Sequence, residues 1–147
     1  MATFNTYDKG DTTIVGGGNA AGYPGVTALV GEFDASRRNL AAADIVEIIN
    51  VPAGTIVNSV VYEVLVGEAT QTLSIGDATA ATGYVAAADV GTTGNSGKGG
   101  GALAVAVGPG KYYAAADTID ITVPAGKAYT VLKIRVTAFC SIAGISG

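Results

Sequence analysis

Apolar and polar residues alternate with period two over much of the chain after Asp44, which is the pattern of β-strands with one buried face. The clearest examples are residues 118–123 and residues 129–138. In the first, isoleucine and valine alternate with threonine and aspartate. In the second, the solvent-compatible side is predicted to hold Tyr129, Lys133, Arg135 and Thr137.

Helical periodicity is missing from the chain. No window of about 11 residues shows a 3.6-residue apolar period with capping residues, and the alanine-rich stretches are too short to form helices alone. About eight short β-rich runs are separated by Gly, Pro, Asn or Asp. These runs predict an all-β chain folded as an antiparallel two-sheet sandwich of jelly-roll type.

The first forty residues differ from the rest. Residues 5–25 contain one short apolar run, Ile14-Val15, followed by three glycines and a Tyr23-Pro24-Gly25 turn signal. The sequence therefore predicts an extended N-terminal arm over residues 1–40 and a β-sandwich domain over residues 41–147.

An internal repeat is visible. Residues 41–54 read AAADIVEIINVPAG and residues 114–126 read AAADTIDITVPAG, and a β-branched run follows each copy. Proline and glycine in V-P-A-G suit a turn in which Gly54 and Gly126 adopt a positive φ. Two strand-turn-strand units are predicted, which reflect either a duplicated role or a favourable turn that arose twice.

The run after the first turn is apolar on both faces. If it alternates strictly, one face holds Val60, Tyr62, Val64 and Val66, and the other holds Val57, Val61 and Leu65. A strand that is apolar on both sides needs cover on both sides. The second face is therefore predicted to pack on another subunit or under the arm.

Composition excludes several functions. The chain has no histidine and a single cysteine, Cys140, so Ser-His-Asp and Cys-His catalysis, imidazole metal sites and an intramolecular disulfide are excluded. A net charge of −4 without a basic run argues against nucleic-acid binding. No apolar run is long enough to span a bilayer, and the first residues lack the features of a secretory signal. We expect no enzyme activity, no cofactor and no membrane partner.

Four short patterns could carry chemistry, but each has a simpler interpretation. Gly16–Ala21 matches a dinucleotide fingerprint without a helix to follow, and Gly91–Gly99 resembles a phosphate loop with wrong spacing. A Ser96/Lys98 dyad would need a buried lysine. We interpret these segments as a linker and, over residues 92–101, a mobile loop tip. Four aspartates could offer oxygen ligands to Ca²⁺ but read as turn residues: Asp77, Asp89, Asp117 and Asp120.

The stretch from Asp44 to Val90 resembles small virion structural proteins of tailed bacteriophages. The resemblance covers this stretch, about a third of the chain, and rests on DIVEIINVPAGTIV (44–57), VYEV (61–64), TLSIGD (72–77) and GYV (83–85). It implies a jelly-roll-like β domain that coats or decorates a capsid, often as a trimer.

These observations predict a virion protein that decorates and cements the phage capsid. It would be made in the host cytoplasm and lie on the capsid surface, with the major capsid protein and further copies of itself as partners. A head-fibre or a receptor- or glycan-binding virion module is the alternative. The tyrosine pair at 112–113 should place one ring in the core and the other in a contact. The predicted interface residues are Tyr23, Arg37, Arg38, Val57, Val61, Leu65, Tyr112 and Tyr113.

Overall fold

The computed structural model describes residues 3–5, 12–15, 26–99 and 110–142, with side chains for residues 27–97 and 110–141. This part of the chain forms eleven strands and no helix. The strands are β1 (Thr3–Asn5), β2 (Thr12–Val15), β3 (Val26–Asp34), β4 (Ile45–Val51), β5 (Thr55–Val66), β6 (Thr72–Asp77), β7 (Val85–Asp89), β8 (Ser96–Gly99), β9 (Lys111–Tyr113), β10 (Asp117–Thr122) and β11 (Lys133–Ile142).

The strands form two sheets. The five-stranded sheet has the order β1-β4-β10-β6-β7, and the six-stranded sheet has the order β2-β3-β11-β5-β8, with β9 paired to β5 beside β8. β1 runs parallel to β4, and the other described pairings are antiparallel. The predicted all-β sandwich is confirmed.

The core lies between the sheets and is built from alternate residues of the longer strands. On β11, Ile134, Val136, Ala138 and Cys140 are fully buried, while the residues between them face outward. The opposite sheet contributes isoleucine and valine in the same way. Its largest fully buried side chains are Val46, Ile48, Ile49, Val51, Leu73, Ile75, Ile119 and Ile121.

The domain boundary predicted at residue 40 is wrong. β3 pairs with β11 from Val26 to Asp34, between β2 and β11, and is therefore internal to the six-stranded sheet. Leu29, Phe33 and Leu40 are buried in the core. Residues 26–40 belong to the sandwich because their alternate side chains fill it. Of the remaining predicted arm, β1 and β2 are described, and they pair with β4 and β3.

The two predicted strand-turn-strand units are β4–β5 and β10–β11. In both, the turn carries the chain from the five-stranded to the six-stranded sheet, and its glycine has a positive φ: 81° at Gly54 and 75° at Gly126. The units also pair with each other, β4 with β10 and β5 with β11. The repeat thus supplies the central strand pair in one sheet and a long strand pair in the other.

The β4–β10 ladder is nearly two-fold symmetric. Asp120 pairs with Glu47, and on either side of them Ile121 pairs with Val46 and Ile119 with Ile49. The first copy of the repeat is one residue longer than the second. The extra residue is accommodated as a β-bulge at Ile48, the position that the pairing skips.

Two bulges in β5 change which side chains face the core. The pairing with β11 skips Asn58 and Leu65. Val57 therefore lies on the same buried face as Val60, and Val66 is 37% exposed. The strict alternation predicted for this strand is wrong at Val57 and Val66, because each inserted residue reverses the side-chain direction beyond it.

Part of the predicted loop tip at residues 92–101 is a strand. β8 pairs with β5 over Val60–Glu63, so the segment that resembled a phosphate loop ends in sheet structure. Gly97 lies against the ring of Tyr62, where an added Cβ would be 2.4 Å from a ring carbon. The glycine is needed because the aromatic ring fills the place of its side chain.

The segment between β10 and β11 is held by Glu68. Its carboxylate accepts hydrogen bonds from the backbone N–H groups of Thr130, Val131 and Leu132 at 2.9 to 3.1 Å. Burial acts to raise the pKa of Glu68, but these donors outweigh it and lower the pKa. Tyr129 lies before β11 and is fully buried, contrary to its predicted outward position. Its backbone pairs with Leu40, and its hydroxyl donates a hydrogen bond to the backbone oxygen of Thr72.

Candidate interaction surface

The outer face of the six-stranded sheet carries exposed apolar side chains at one end. Cross-strand rows place Phe139 beside Ala28 and Ser59, and Tyr112 beside Ile56. Tyr112 is 55% exposed and Phe139 40% exposed. We refer to these and neighbouring residues as the apolar patch, which consists of Ala28, Val30, Ile56, Val61, Tyr112 and Phe139.

The other end of the same face is charged. Arg135 donates to Glu32 at 2.7 Å and to Glu63 at 3.2 Å, so one cation links three strands. The hydrogen bond to Glu32 is the main cause that raises the pKa of Arg135. Lys133 lies 3.1 Å from Asp34. The apolar patch is therefore bordered by paired charges, as protein interfaces with an apolar centre and a polar rim are.

The outer face of the five-stranded sheet is different. Its central strand β10 presents Thr118, Asp120 and Thr122. Their partners on β4 are Ile45, Glu47 and Asn50, and the next strand, β6, presents Ser74. The Ser74 hydroxyl donates to the backbone carbonyl of Ala86. Small polar side chains make this face a poor candidate for apolar contact, so the apolar patch distinguishes one side of the sandwich from the other.

A buried polar cluster joins the sheets. The Tyr113 hydroxyl on β9 donates to Oδ2 of Asp77 on β6 at 2.7 Å and lies 2.6 Å from the Tyr84 hydroxyl. Lys111 forms an ion pair with the same carboxylate. Burial acts to raise the pKa of Asp77, but the bonds from Lys111 and Tyr113 lower it, and burial raises the pKa of both tyrosines. The cluster holds the sheets in one relative position.

The structure separates the predicted interface residues. Val61 and Tyr112 lie in the apolar patch, and Leu65 is half-buried at its bulge towards the charged end. Val57 and Tyr113 are wrong as contact residues, because they are 1% and 3% exposed inside the sandwich. The tyrosine pair does divide as predicted, with one ring buried and one exposed.

The predicted basic and arm contacts lie elsewhere. Arg37 and Arg38 are exposed in the turn after β3, where Arg37 is 3.9 Å from Asp34. Tyr23 and the glycine-rich segment at residues 16–21 lie outside the described residues. The basic pair therefore follows Asp34, at the charged end of the face, and is not part of the apolar patch.

Sequence reasoning missed Phe139, Ile56 and Val30 as surface residues. A signal for Phe139 was present, because the polar side of β11 continues from Arg135 and Thr137 to residue 139. An aromatic residue at that position of the alternation is an exposed one. Ile56 and Val30 could not be recognised in this way, since the bulges and the partner strand determine their direction.

The aspartates considered as Ca²⁺ ligands and the single cysteine take part in the hydrogen bonding and packing of the fold. Oδ1 of Asp77 accepts from two backbone N–H groups, and Oδ1 of Asp89 accepts from Gly91 N. In the part of the chain that the structure describes, no three His, Cys, Asp or Glu residues are grouped to hold a metal ion. Burial raises the pKa of the Cys140 thiol to about 12. The described residues form no helix, and so the described part of the chain has no helix that could cross a membrane.

Solved phage capsids contain chains of similar fold. A chain in the capsid of Ralstonia phage GP4 matches with a TM-score of 0.65 and 17% identity, over 90% of this chain and 92% of its own. A chain of the cyanophage Pam1 capsid asymmetric unit matches with a TM-score of 0.57 and 22% identity, over 88% of this chain and 93% of its own. A chain from the acidic stable capsid structure of Helicobacter pylori bacteriophage KHP30 matches with a TM-score of 0.59 and 11% identity, over 84% of this chain and 93% of its own.

At these identities the similarity concerns the fold, and at that level it confirms the resemblance to phage virion structural proteins. Each alignment spans most of both chains, so the matched capsid chains are close to this one in length. Comparison of the sequence with models of known protein families and with curated proteins gives no match.

Proposed function

We propose that this chain is a structural, non-enzymatic protein of a phage virion that binds the capsid surface and stabilises it. The observation that carries the proposal is the fold shared along nearly the whole chain with components of three phage capsid structures. The major capsid protein would be its main partner, and assembly would follow synthesis in the host cytoplasm.

The architecture suits a mechanical role. A cementing protein must bury enough surface across capsomer boundaries to resist their separation, and stable interfaces bury about 1,200–2,000 Å² in total. The apolar patch with its charged border would form the centre of such an interface. The hydrogen bond from Tyr113 to Asp77 and the backbone hydrogen bonds to the Glu68 carboxylate would keep the sandwich rigid, so that little ordering free energy is lost on binding.

Replacing the two exposed aromatics of the patch is expected to weaken capsid binding at least tenfold. Buried aromatic anchors contribute about 2 kcal/mol or more each at interfaces, which is more than tenfold in Kd. The variant is Tyr112→Thr with Phe139→Thr, since threonine suits a strand. Binding is measured by co-sedimentation with capsids of the source phage that lack this protein, and folding by the melting temperature.

Val131→Thr is the matched control, because Val131 is 47% exposed but lies in the loop before β11. We expect it to bind like the unchanged chain. Equal binding of the double variant would contradict the assignment of the patch. No binding of the unchanged chain, together with binding to cell-surface glycans, would instead support the head-fibre or receptor-binding alternative.

We also expect the isolated protein to self-associate, as a trimer. Without a capsid to cover it, the apolar patch of the isolated protein would remain in water, which favours association between copies. Light scattering should give three times the chain mass of 14.4 kDa at micromolar concentration. A mass equal to one chain at all concentrations would contradict self-association, and a mass of two chains would contradict the trimer.

A further inference from the structure

Tyr112 is the more exposed of the two aromatics in the apolar patch, and it lies on a strand that gives it little support. β9 has three residues and pairs with β5 over Thr55–Val57. In the described part of the chain, β5 is the one strand beside it. So short a strand opens easily, because few contacts must break together. More than half of the Tyr112 side chain is exposed, so its position depends on the backbone of β9.

The residues on both sides of Tyr112 are held from the interior of the sandwich. Successive side chains of a strand point to opposite faces, so Lys111 and Tyr113 point inward where Tyr112 points outward. Both reach Asp77, which ends β6 in the other sheet. The Tyr113 hydroxyl donates to Oδ2 of Asp77 at 2.7 Å, and the Lys111 ammonium pairs with the same oxygen. β9 is therefore held at one point before and one point after the exposed ring.

The carboxylate that holds β9 is itself fixed in place. Asp77 is 4% exposed, and its Oδ1 accepts hydrogen bonds from the backbone N–H groups of Thr79 and Ala80, both at 2.9 Å. Each carboxylate oxygen thus accepts two hydrogen bonds, one pair from the loop after β6 and one pair from β9. Hydrogen bonds to a buried charged acceptor are among the stronger ones in proteins.

Tyr113 has two further contacts that limit its movement. Because its hydroxyl gives its hydrogen to Asp77, it accepts the hydrogen of the Tyr84 hydroxyl, which lies 2.6 Å away. Nζ of Lys111 lies 4.8 Å from the centre of the Tyr113 ring, where a cation is attracted to the ring. The members of such a network hold one another in a single arrangement.

We propose that Asp77 is a positioning residue of the apolar patch, which holds β9 through Lys111 and Tyr113 and so fixes the ring of Tyr112 where it contacts a partner. The inference rests on the proposed function, in which Tyr112 anchors capsid binding. Asp77 acts from the interior and does not touch the partner itself. Because a preorganised anchor loses less ordering free energy on binding, loosening β9 weakens binding although every residue of the patch is unchanged.

Asp77→Asn removes this support with little change of shape. The amide oxygen can still accept from the loop after β6, whereas the amide nitrogen is a donor and cannot accept from Lys111 or Tyr113. In the isolated protein the N–H of Gly54 reports on β9, because it donates to the backbone oxygen of Tyr113 at 2.7 Å. Hydrogen exchange at Gly54 and on β9 should rise about tenfold or more. β8, which pairs with another part of β5, should keep its exchange rates.

Tyr113→Phe is a milder variant that keeps the test available if Asp77→Asn fails to fold. It removes one hydrogen bond and leaves the ring and the ion pair in place, so exchange at Gly54 should rise about threefold. Tyr129→Phe is its matched control. Tyr129 is also buried and donates a hydroxyl hydrogen bond, but to Thr72, at the opposite end of β6 from Asp77. It should leave exchange on β9 unchanged.

Capsid binding provides the second measurement, in a double-mutant cycle with Tyr112→Thr. At a temperature at which all the chains are folded, Asp77→Asn alone should weaken binding about fivefold. In the Tyr112→Thr chain the same change should weaken binding less than about twofold, because no ring remains to be positioned. A residue that only stabilised the sandwich would change binding equally in both chains.

Two results would overturn the proposal: unchanged exchange at Gly54 and on β9 in the Asp77→Asn chain, or an equal loss of binding with and without Tyr112. Absence of capsid binding by the unchanged chain would contradict the proposed function. The exchange measurements need no capsid, so they would still decide whether Asp77 holds β9.

Discussion

A chain lacking residues 2–36 is expected to lose its cooperative unfolding transition and its β-sheet circular dichroism. The deletion removes β3, which pairs with β11 over nine residues, and with it the buried side chains of Leu29, Phe33 and the following Ala35. Each large buried side chain contributes about 1.5–3 kcal/mol, and the total stability of a domain is about 5–15 kcal/mol. The loss also exposes one edge of β11 and the core behind it.

Deletion of residues 2–25 is the matched control. It removes the short edge strands β1 and β2 but retains β3. We expect this shorter chain to unfold cooperatively at a lower temperature, and its capsid binding would show whether the residues before β3 serve in assembly. A cooperative transition in the chain lacking residues 2–36 would contradict the assignment of β3 to the sandwich.

Gly31→Ala is expected to destabilise the fold by about 3 kcal/mol, or about 10 °C in melting temperature. Gly31 lies on the core face of β3, where an added Cβ would be 2.1 Å from the backbone oxygen of Ile48. That oxygen belongs to the opposite sheet, at the bulge of β4, so the clash can be relieved only if the two sheets move apart. Thermal or denaturant unfolding at one protein concentration measures the effect.

Gly126→Ala separates this steric effect from backbone strain. Gly126 has a φ of 75°, and nothing lies within 4 Å of an added Cβ. The expected cost is about 1 kcal/mol, from the left-handed conformation alone. If Gly31→Ala proved as mild as Gly126→Ala, the close approach of the sheets at Ile48 would be wrong.

Local pattern was sufficient to predict β10 and both Pro-Ala-Gly turns. It predicted β11 in part, because the alternation covers residues 129–138 and the strand extends over Lys133–Ile142. Residues 118–123 alternate strictly, and β10 extends over Asp117–Thr122. The turns depend on a proline with fixed φ and a glycine that accepts positive φ, both of which are properties of single residues. The repeat was visible for the same reason, but its two-fold pairing was not, because pairing depends on residues distant in sequence.

β3 and β8 were missed because a glycine interrupts the apolar pattern of β3, and β8 contains two glycines and no apolar residue. Gly31 occupies a core position that the backbone of Ile48 fills, and Gly97 occupies one that the ring of Tyr62 fills. In each case the contact replacing the missing side chain comes from another strand. The local sequence pattern therefore predicts a loop at such a glycine, whereas in the folded chain the glycine allows another strand to pack closely against it.

The sequence by itself determined that the chain is all-β, where its turns fall and that several strands have more apolar residues than one face can bury. Tertiary structure decided which of those residues reach the surface. Bulges at Asn58 and Leu65 turn Val57 inward and Val66 outward, and the pairing of β9 with β5 buries Tyr113. The reason is that side-chain direction along a strand reverses with each inserted residue, and such insertions are defined by the partner strand.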